Sequence, residues 1–154
     1  MRFIIGVLLV VLADQVTKIW ISRNMELMES IPVIPGIFHI TYIQNPASAF
    51  GILKFDNIIF ITVGLLVILF LILFLSKIAQ KSKIVFFSFI FILGGALGNL
   101  LDRVRVGSVI DFLDFRIWPI FNIADSAINI GLFLLIIYFL FHKEEEKENN
   151  GLEE

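Results

Sequence analysis

Four long apolar stretches restrict the folds open to this chain. They cover residues 3–22, 57–76, 84–101 and 120–141, and the second and third contain no charged residue. A helix needs about 20 mostly apolar residues to cross the hydrocarbon core of a membrane. Since lipid offers no partner to backbone N–H and C=O groups, each stretch is predicted to be a helix. The sequence therefore predicts an all-α membrane protein with four transmembrane helices.

Composition agrees with a membrane protein and excludes several kinds of chemistry. Hydrophobic residues make up 58% of the 154 positions, against roughly 45–50% in soluble domains. The chain has no cysteine, which excludes disulfides, thiolate metal sites and a cysteine nucleophile. No basic surface that would indicate a nucleic-acid partner is present. Residues 143–154 contain six of the 14 acidic residues and are predicted to form a charged, disordered cytoplasmic tail.

Residues 23–56 separate the first two apolar stretches and are predicted to form a cap beside the membrane. They are too polar to span it and too apolar for a simple linker. Pro35-Gly36 is a turn signal, and residues 37–44 alternate as a short strand does. One membrane domain, residues 1–142, is thus expected. Met1-Arg2 with its apolar continuation is also typical of a signal peptide, but the hydrophobic pattern extends through Ile21, which favours a retained helix.

The distribution of positive charge predicts an orientation. Residues 77–83 contain three lysines and no acidic residue, which favours the cytoplasm. The cations Arg103, Arg105 and Arg116 weigh against this assignment. With four spans, a cytoplasmic lysine loop places both termini in the cytoplasm. The cap and residues 103–119 then face outward.

Asp111 and Asp125 are the two residues that most strongly indicate a functional site. Both have apolar neighbours, and neither has a basic residue three or four positions away. An ionisable group at membrane depth costs roughly 2.5–3.5 kcal/mol, so it usually marks a site or a pathway. Two carboxylates in a partly dry place can share one proton, which is the basis of aspartic proteolysis.

Other polar residues fall at helical spacing and form three groups: Asp14 with Lys18; Asn99 with Asp102 and Arg103; and Asn122 with Asp125 and Asn129. They could be structural, with Asp14–Lys18 and Asp102–Arg103 ion pairs and asparagine hydrogen bonds between helices. They could equally belong to the site. Lys18 and Arg105 are expected to be solvated or snorkelling cations, and Asp114 a loop charge. Gly94 and Gly98 have the spacing of close helix contacts.

Hydrolytic chemistry based on other residues lacks the necessary groups. The histidines, His39 and His142, lie in the cap and at a terminal boundary, and no metal-ligand set is predicted. A proton-coupled transporter could use Asp14, Asp111 and Asp125 as a relay. However, Asp111 and Asp125 bracket one short segment and so lie at the same membrane face. A non-catalytic assembly factor would leave these carboxylates without a role.

These motifs resemble those of the bacterial lipoprotein signal peptidases (signal peptidase II). Five blocks occur in the family's order and cover nearly the whole chain: Ala13-Asp14-Gln15-Val16-Thr17-Lys18, Gln44-Asn45-Pro46-Ala47-Ser48-Ala49-Phe50, Gly94-Gly95-Ala96-Leu97-Gly98-Asn99-Leu100-Leu101-Asp102-Arg103, Val109-Ile110-Asp111-Phe112 and Phe121-Asn122-Ile123-Ala124-Asp125-Ser126. Residues 45–50 depart from the family's usual Asn-Thr-Gly-Ala-Ala-Phe. The stretch between Asp111 and Phe121 is also shorter than usual.

The resemblance implies a function, a fold and a set of site residues. It implies cleavage of diacylglyceryl-modified prolipoproteins just before the lipidated cysteine, at the outer face of the bacterial cytoplasmic membrane. The fold would be a four-helix bundle with a small extracytoplasmic β-cradle between helices 1 and 2. The catalytic pair would be Asp111 and Asp125, with no metal or cofactor, and membrane lipid and globomycin-type cyclic peptides would also bind. The supporting residues would be Asp14, Asn45, Asn99, Asp102, Arg103, Asn122 and Ala124, and Phe50 would contact the signal peptide or acyl chains.

Overall fold

Four helices and three strands make up the described part of the chain. The structure is a computed structural model that describes residues 1–46, 57–78 and 82–150. In chain order the elements are α1 (Arg2–Asn24), β1 (Ser30–Ile34), β2 (Phe38–Asn45), α2 (Asn57–Ile78), α3 (Lys83–Arg105), β3 (Val109–Asp114) and α4 (Ile123–Asn150). Each predicted apolar stretch corresponds to one of these helices.

Three of the described helices are long and apolar enough to cross a membrane: Arg2–Asn24, Lys83–Arg105 and Ile123–Phe141. In α2 the apolar part with described side chains, Asn57–Leu73, is shorter, so a fourth crossing stays a prediction. Large apolar side chains such as Leu8, Leu66 and Phe133 are exposed on the helices. An outer surface of this kind is suited to lipid, because lipid does not penalise exposed apolar groups.

The small sheet differs from the predicted cap in its third strand. Its order is β1–β2–β3, with antiparallel neighbours. The strand predicted at residues 37–44 is confirmed as β2. However, β3 comes from the segment between α3 and α4, so the sheet is not drawn from residues 23–56 alone and the protein is not all-α. Phe121 also bonds back to Leu113, which brings the start of α4 against the sheet.

Helix α3 forms the centre of the bundle and packs against α1, α2 and α4. Glycines allow the close approach, because a Cβ on Gly94 would lie 2.6 Å from Val10 Cβ of α1 and one on Gly131 of α4 would lie 2.7 Å from Ser88 O of α3. The predicted role of Gly94 and Gly98 as close-contact residues is therefore confirmed. The apolar core between the helices includes Val7, Val85, Phe89, Ile90 and Leu93.

The two ends of α4 differ from the predicted span at residues 120–141. The helix begins at Ile123 rather than at residue 120, because the side chain of Asn122 caps it. At the other end it continues to Asn150, so the expected disorder of residues 143–150 is not observed. Glutamate and lysine have high helix propensity, and they dominate this segment.

Candidate active site

Asp111 and Asp125 line one cavity at the end of the bundle that carries the sheet. Its volume is about 340 Å³. Strand β3 contributes Asp111, and the first turn of α4 contributes Asp125. The cavity is lined by Asn45, Asn99, Arg103, Val109, Asp111, Trp118, Pro119, Ile120, Phe121, Asp125, Ile128 and Asn129. The structure thus brings together the two carboxylates that the sequence singled out, in a space with polar and apolar walls.

Two asparagine amides hold the Asp111 carboxylate. Asn45, at the end of β2, donates from Nδ2 to Asp111 Oδ2 over 3.0 Å. Asn122 donates from Nδ2 to Asp111 Oδ1 over 2.6 Å. Asp111 is only 2% exposed, and this burial raises the pKa of its carboxyl to about 6, although the bonds from Asn45 and Asn122 lower it; the charge of Asp125 adds to the rise. A carboxyl with this pKa can change its protonation near neutral pH.

Asp125 is positioned by the beginning of α4 and by α3. Asn122 Oδ1 accepts a hydrogen bond from the Asp125 backbone N–H at 2.8 Å, the usual contact of an N-cap residue with the third helical position. From α3, Asn99 Nδ2 donates to Asp125 Oδ1 over 2.7 Å. The side chain of Asp125 is half-buried. Asn122 therefore contacts both aspartates, Asp111 through its nitrogen and Asp125 through its oxygen.

A buried ion cluster lies behind the cavity and joins α1 to α3. Lys18 Nζ lies 2.9 Å from Asp14 Oδ2 and 2.8 Å from Asp102 Oδ2. The three residues are 1%, 0% and 2% exposed. The predicted Asp14–Lys18 pair is confirmed. The expectation that Lys18 is solvated is wrong, because Asp102 provides a second counter-charge that makes full burial of the ammonium tolerable.

Asp102 pairs with Lys18 rather than with the adjacent Arg103. Besides the ion pair, Asp102 accepts hydrogen bonds from Gln15 Nε2 at 2.9 Å and from the Ile110 backbone N–H at 3.1 Å. The second bond ties α3 to β3, one residue before Asp111. Arg103 instead lines the cavity, and its guanidinium lies 4.4 Å from the centroid of the Phe60 ring. The predicted Asp102–Arg103 pair is therefore wrong.

Asp14 and Ala124 connect α1 to the beginning of α4. The Ala124 backbone N–H donates to Asp14 Oδ1 over 2.9 Å. Ala124 is fully buried, and a Cβ on Gly98 would lie 3.3 Å from its methyl group and 2.6 Å from Asp14 Oδ2. A small residue at both positions is needed for this contact. Asp14 and Ala124 thus support the site from behind and do not line the cavity.

Several polar residues lie away from the carboxylates. Asp114 is buried at the end of β3, where Thr41 donates to it over 2.8 Å and Arg116 pairs with it at 2.9 Å. It is therefore not the loop charge that the sequence predicted. His39 bonds Ser30 on β1. As expected for a solvated cation, Arg105 is exposed.

The remaining site predictions concern Asn129, Phe50 and a metal. Asn129 lines the cavity with Asp125, which agrees with their predicted common stripe on α4. Phe50 lies outside the described residues. Among the residues whose side chains the structure describes, 1–46, 57–73 and 82–141, no group of three His, Asp or Glu side chains is placed to hold a metal ion. Sequence reasoning missed the apolar wall of the cavity, with Trp118, Ile120 and Ile128. It also missed the burial of Lys18, for which the available signal is the i,i+4 spacing from Asp14.

Comparison with known proteins identifies close relatives over nearly the full length of the chain. The family model described as signal peptidase (SPase) II matches residues 6–141. The lipoprotein signal peptidase of Halothermothrix orenii is 50% identical over 134 residues, which are 87% of this chain and 92% of the relative. That of Clostridioides difficile is 41% identical over 96% of this chain and 100% of the relative. A solved bacterial membrane enzyme superposes with a TM-score of 0.89 at 38% identity, covering 96% of this chain and 92% of the other.

Proposed function

Because the chain belongs to the signal peptidase II family, we propose that it is an aspartic endopeptidase whose catalytic pair is Asp111 and Asp125. The protein is a membrane protease that removes signal peptides from prolipoproteins. One observation carries the proposed mechanism: the two carboxylates line a single cavity, and each accepts a hydrogen bond from an asparagine side chain.

The reaction uses the pair as one acid and one base. The ionised carboxylate takes a proton from a water molecule, and the resulting hydroxide adds to the scissile carbonyl. The protonated carboxyl donates to the carbonyl oxygen, which gives a neutral tetrahedral diol. The C–N bond then breaks, the leaving nitrogen receives a proton from the pair, and no covalent enzyme intermediate forms. The raised pKa of Asp111, about 6 because of burial, supports a pair that exchanges protons near neutral pH.

The substrate is a prolipoprotein with a diacylglyceryl-modified cysteine, and cleavage occurs just before that cysteine. The apolar wall of the cavity, with Trp118, Ile120 and Ile128, suits a signal peptide that enters from lipid. Burial of each acyl CH₂ contributes about 0.8 kcal/mol. Asn45 and Arg103 add polar groups for the substrate backbone and head group. Globomycin-type cyclic peptides are expected to occupy the same cavity and to block cleavage.

The enzyme lies in the bacterial cytoplasmic membrane, with both termini in the cytoplasm and the cavity near the outer face. Helix α2, with 22 residues, is about 33 Å long and supplies the fourth span. The C-terminus of α3 and the N-terminus of α4 meet at the cavity, and Asn57 at the start of α2 bonds the Arg103 carbonyl there. These contacts support a cavity at the end of the bundle opposite the C-terminus of α2 and the start of α3.

The transporter alternative receives no support from the relatives, which are lipoprotein signal peptidases. A relay also needs carboxylates at different depths. Asp111 and Asp125 lie at one end of the bundle, and Asp14 is ion-paired with Lys18.

The test is cleavage of a lipidated precursor peptide by the purified full-length protein in lipid. We expect release of the signal peptide, no loss of activity with EDTA, and activity at least about 1,000-fold lower in Asp111→Asn and Asp125→Asn. Asparagine keeps the side-chain volume but cannot exchange the proton. Circular dichroism would check that both variants stay folded. A fully active Asp125→Asn enzyme, or an EDTA loss that zinc reverses, would rule out the aspartic mechanism.

A further inference from the structure

The amide of Asn99 can take only one orientation in this structure. Its Oδ1 faces Lys18 Nζ at 3.0 Å and Asn122 Nδ2 at 3.2 Å. A lysine ammonium has donors and no acceptor, so the amide atom that faces Lys18 must be the oxygen. The nitrogen therefore points the other way, where Nδ2 donates to Asp125 Oδ1 over 2.7 Å.

Lys18 is itself held in place. It is 1% exposed and is gripped by Asp14 from its own helix and by Asp102 from α3. A lysine side chain normally has high rotamer freedom, and these two ion pairs remove it. Among the described residues, its ion pairs are with Asp14 and Asp102, and its hydrogen-bonded link to the catalytic pair passes through Asn99.

We propose that Lys18 is a positioning residue for the cleavage reaction, which fixes the orientation of the Asn99 amide and thereby the carboxylate of Asp125. The proposal rests on the aspartic mechanism described above. Without Lys18, only Asn122 would hold the Asn99 oxygen, and a flipped amide would present that oxygen to Asp125. Two acceptors would then face each other, and the carboxylate would lose its bond and its position.

The effect should fall on kcat rather than on KM, because Lys18 lies behind the cavity and does not line it. A misplaced catalytic group costs up to about 100-fold in rate. A purely structural role for Lys18 would instead lower the amount of folded enzyme and leave the kcat of the folded fraction unchanged. These two outcomes separate the positioning role from the structural one.

The decisive comparison is made in an Asp102→Asn background. Removal of Lys18 alone leaves two unpaired buried carboxylates, which can unfold the protein. When Lys18 is replaced in an Asp102→Asn protein, the net charge of the cluster stays the same. The natural cluster has two carboxylates and one ammonium, and the double variants have one carboxylate and no ammonium. Lys18→Gln retains an N–H donor for the Asn99 oxygen, and Lys18→Met, of similar length, does not. We expect the two double variants to have similar Tm and KM, with kcat at least about tenfold lower for Met. Equal kcat values would overturn the proposal.

Gln15→Leu serves as the control for general loosening of the cluster. Gln15 bonds Asp14 and Asp102, but its described hydrogen bonds do not include Asn99. This variant should lower Tm and keep the kcat of the folded enzyme. A kcat loss as large as that of the Met variant would contradict a specific role for Lys18.

A double-mutant cycle in the same Asp102→Asn background gives a second test. If Lys18 acts through Asn99, the difference in kcat between Lys18→Gln and Lys18→Met should disappear once Asn99 is alanine. Additive losses would show that Lys18 acts by another route. The proposed function is judged separately, by cleavage with the natural enzyme and its absence in Asp125→Asn. A natural enzyme that does not cleave the precursor would contradict the proposed function. A natural enzyme that cleaves it, with Lys18 variants of equal kcat, would contradict only the positioning role of Lys18.

Discussion

At the scale of single residues, neutral amides hold the proposed catalytic carboxylates. Asp111 accepts from Asn45 and Asn122, and Asp125 accepts from Asn99. A cation in direct contact would lower a carboxyl pKa by about 1–3 units and favour full ionisation. Amide donors also fix the position of a carboxylate, but they lower its pKa less than a cation does. This arrangement suits a pair that must share one proton.

Asn45→Ala should reduce turnover of a lipidated precursor. The change removes the 3.0 Å bond to Asp111 Oδ2, and a hydrogen bond to a charged group contributes about 1.5–3 kcal/mol. We expect kcat/KM to fall by about tenfold or more. Asn24→Ala is the matched control, because Asn24 bonds the Trp20 carbonyl on an exposed part of α1. Unchanged turnover in Asn45→Ala would mean that Asp111 does not depend on this donor.

Stability should depend on pH through Asp111. Its pKa is about 6 in the folded protein because of burial, against 3.8 for the ordinary carboxyl. Between these values the folded state binds more protons than the unfolded state, so stability falls as the pH rises. The corresponding loss is on the order of 2–3 kcal/mol, complete above pH 6. Asp111→Asn lacks this group, and its Tm relative to the natural protein should therefore rise between pH 4 and pH 7.5. A pH-independent difference in Tm would contradict the raised pKa.

Residue-level prediction from sequence groups the isolated carboxylates correctly and identifies the partners of paired charges only in part. Asp111 and Asp125 stand out because local sequence offers them no counter-charge, and the cavity contains both. For Lys18 the local pattern revealed Asp14 but not Asp102, which is contributed by a different helix. Local sequence also gives no sign that Asp114 is buried, because its partner Thr41 lies on β2. Partners distant in sequence cannot be read from spacing.

At the scale of elements, the lengths of the helices were predictable and the sheet was only partly so. In lipid, an apolar stretch of about 20 residues must form a helix, because its backbone N–H and C=O groups find hydrogen-bond partners only within the segment. Strand β2 showed an alternating pattern next to a turn signal. Strand β3 has six residues and is almost fully buried, so it lacks that alternation. It becomes a strand because β2 and Phe121 supply its hydrogen bonds.

The close packing of α3 against α1 and α4 predicts unequal effects of two glycine substitutions. In Gly98→Ala the new methyl would lie 2.6 Å from Asp14 Oδ2, and overpacking of this kind costs about 1–3 kcal/mol. In Gly64→Ala it would lie 3.6 Å from Leu100 Cδ1, an ordinary contact. Thermal unfolding in detergent should therefore show a lower Tm for Gly98→Ala and an equal or higher Tm for Gly64→Ala. Equal losses would contradict the difference between the tight contact at Gly98 and the ordinary contact at Gly64.

At the scale of the whole molecule, the two ends of the bundle have different tasks. One end carries the sheet and the cavity, and the other carries the start of α1 and the end of α4. The cavity end is built from α1, the sheet, α3 and α4 together, through the cluster of Lys18, Asp14 and Asp102. The proposed catalytic pair is therefore confined to one end of the bundle.

Cysteine labelling tests which face that is, since the natural chain has no cysteine. Ile37 lies exposed next to the β1–β2 turn, and Lys83 lies exposed at the start of α3. With the cavity at the outer face, an impermeant thiol reagent should label Ile37→Cys in intact cells and Lys83→Cys only after lysis. The reverse pattern would place the cavity in the cytoplasm. Cleavage of precursor by each variant would show that the enzyme remains folded.

The ion pair within α1 affects how this helix can enter the membrane while the rest of the chain is still being synthesised. Helix α1 leaves the ribosome long before α3, so the carboxylate of Asp14 must enter lipid without Asp102. Its counter-ion is four residues away, at 2.9 Å in the finished structure, and emerges with it. Helix α1 can therefore insert with the charge of Asp14 neutralised by Lys18, before the helices that pack against it are synthesised. Asp111 and Asp125 come from the last third of the chain, so the nascent protein holds no assembled protease until α4 arrives.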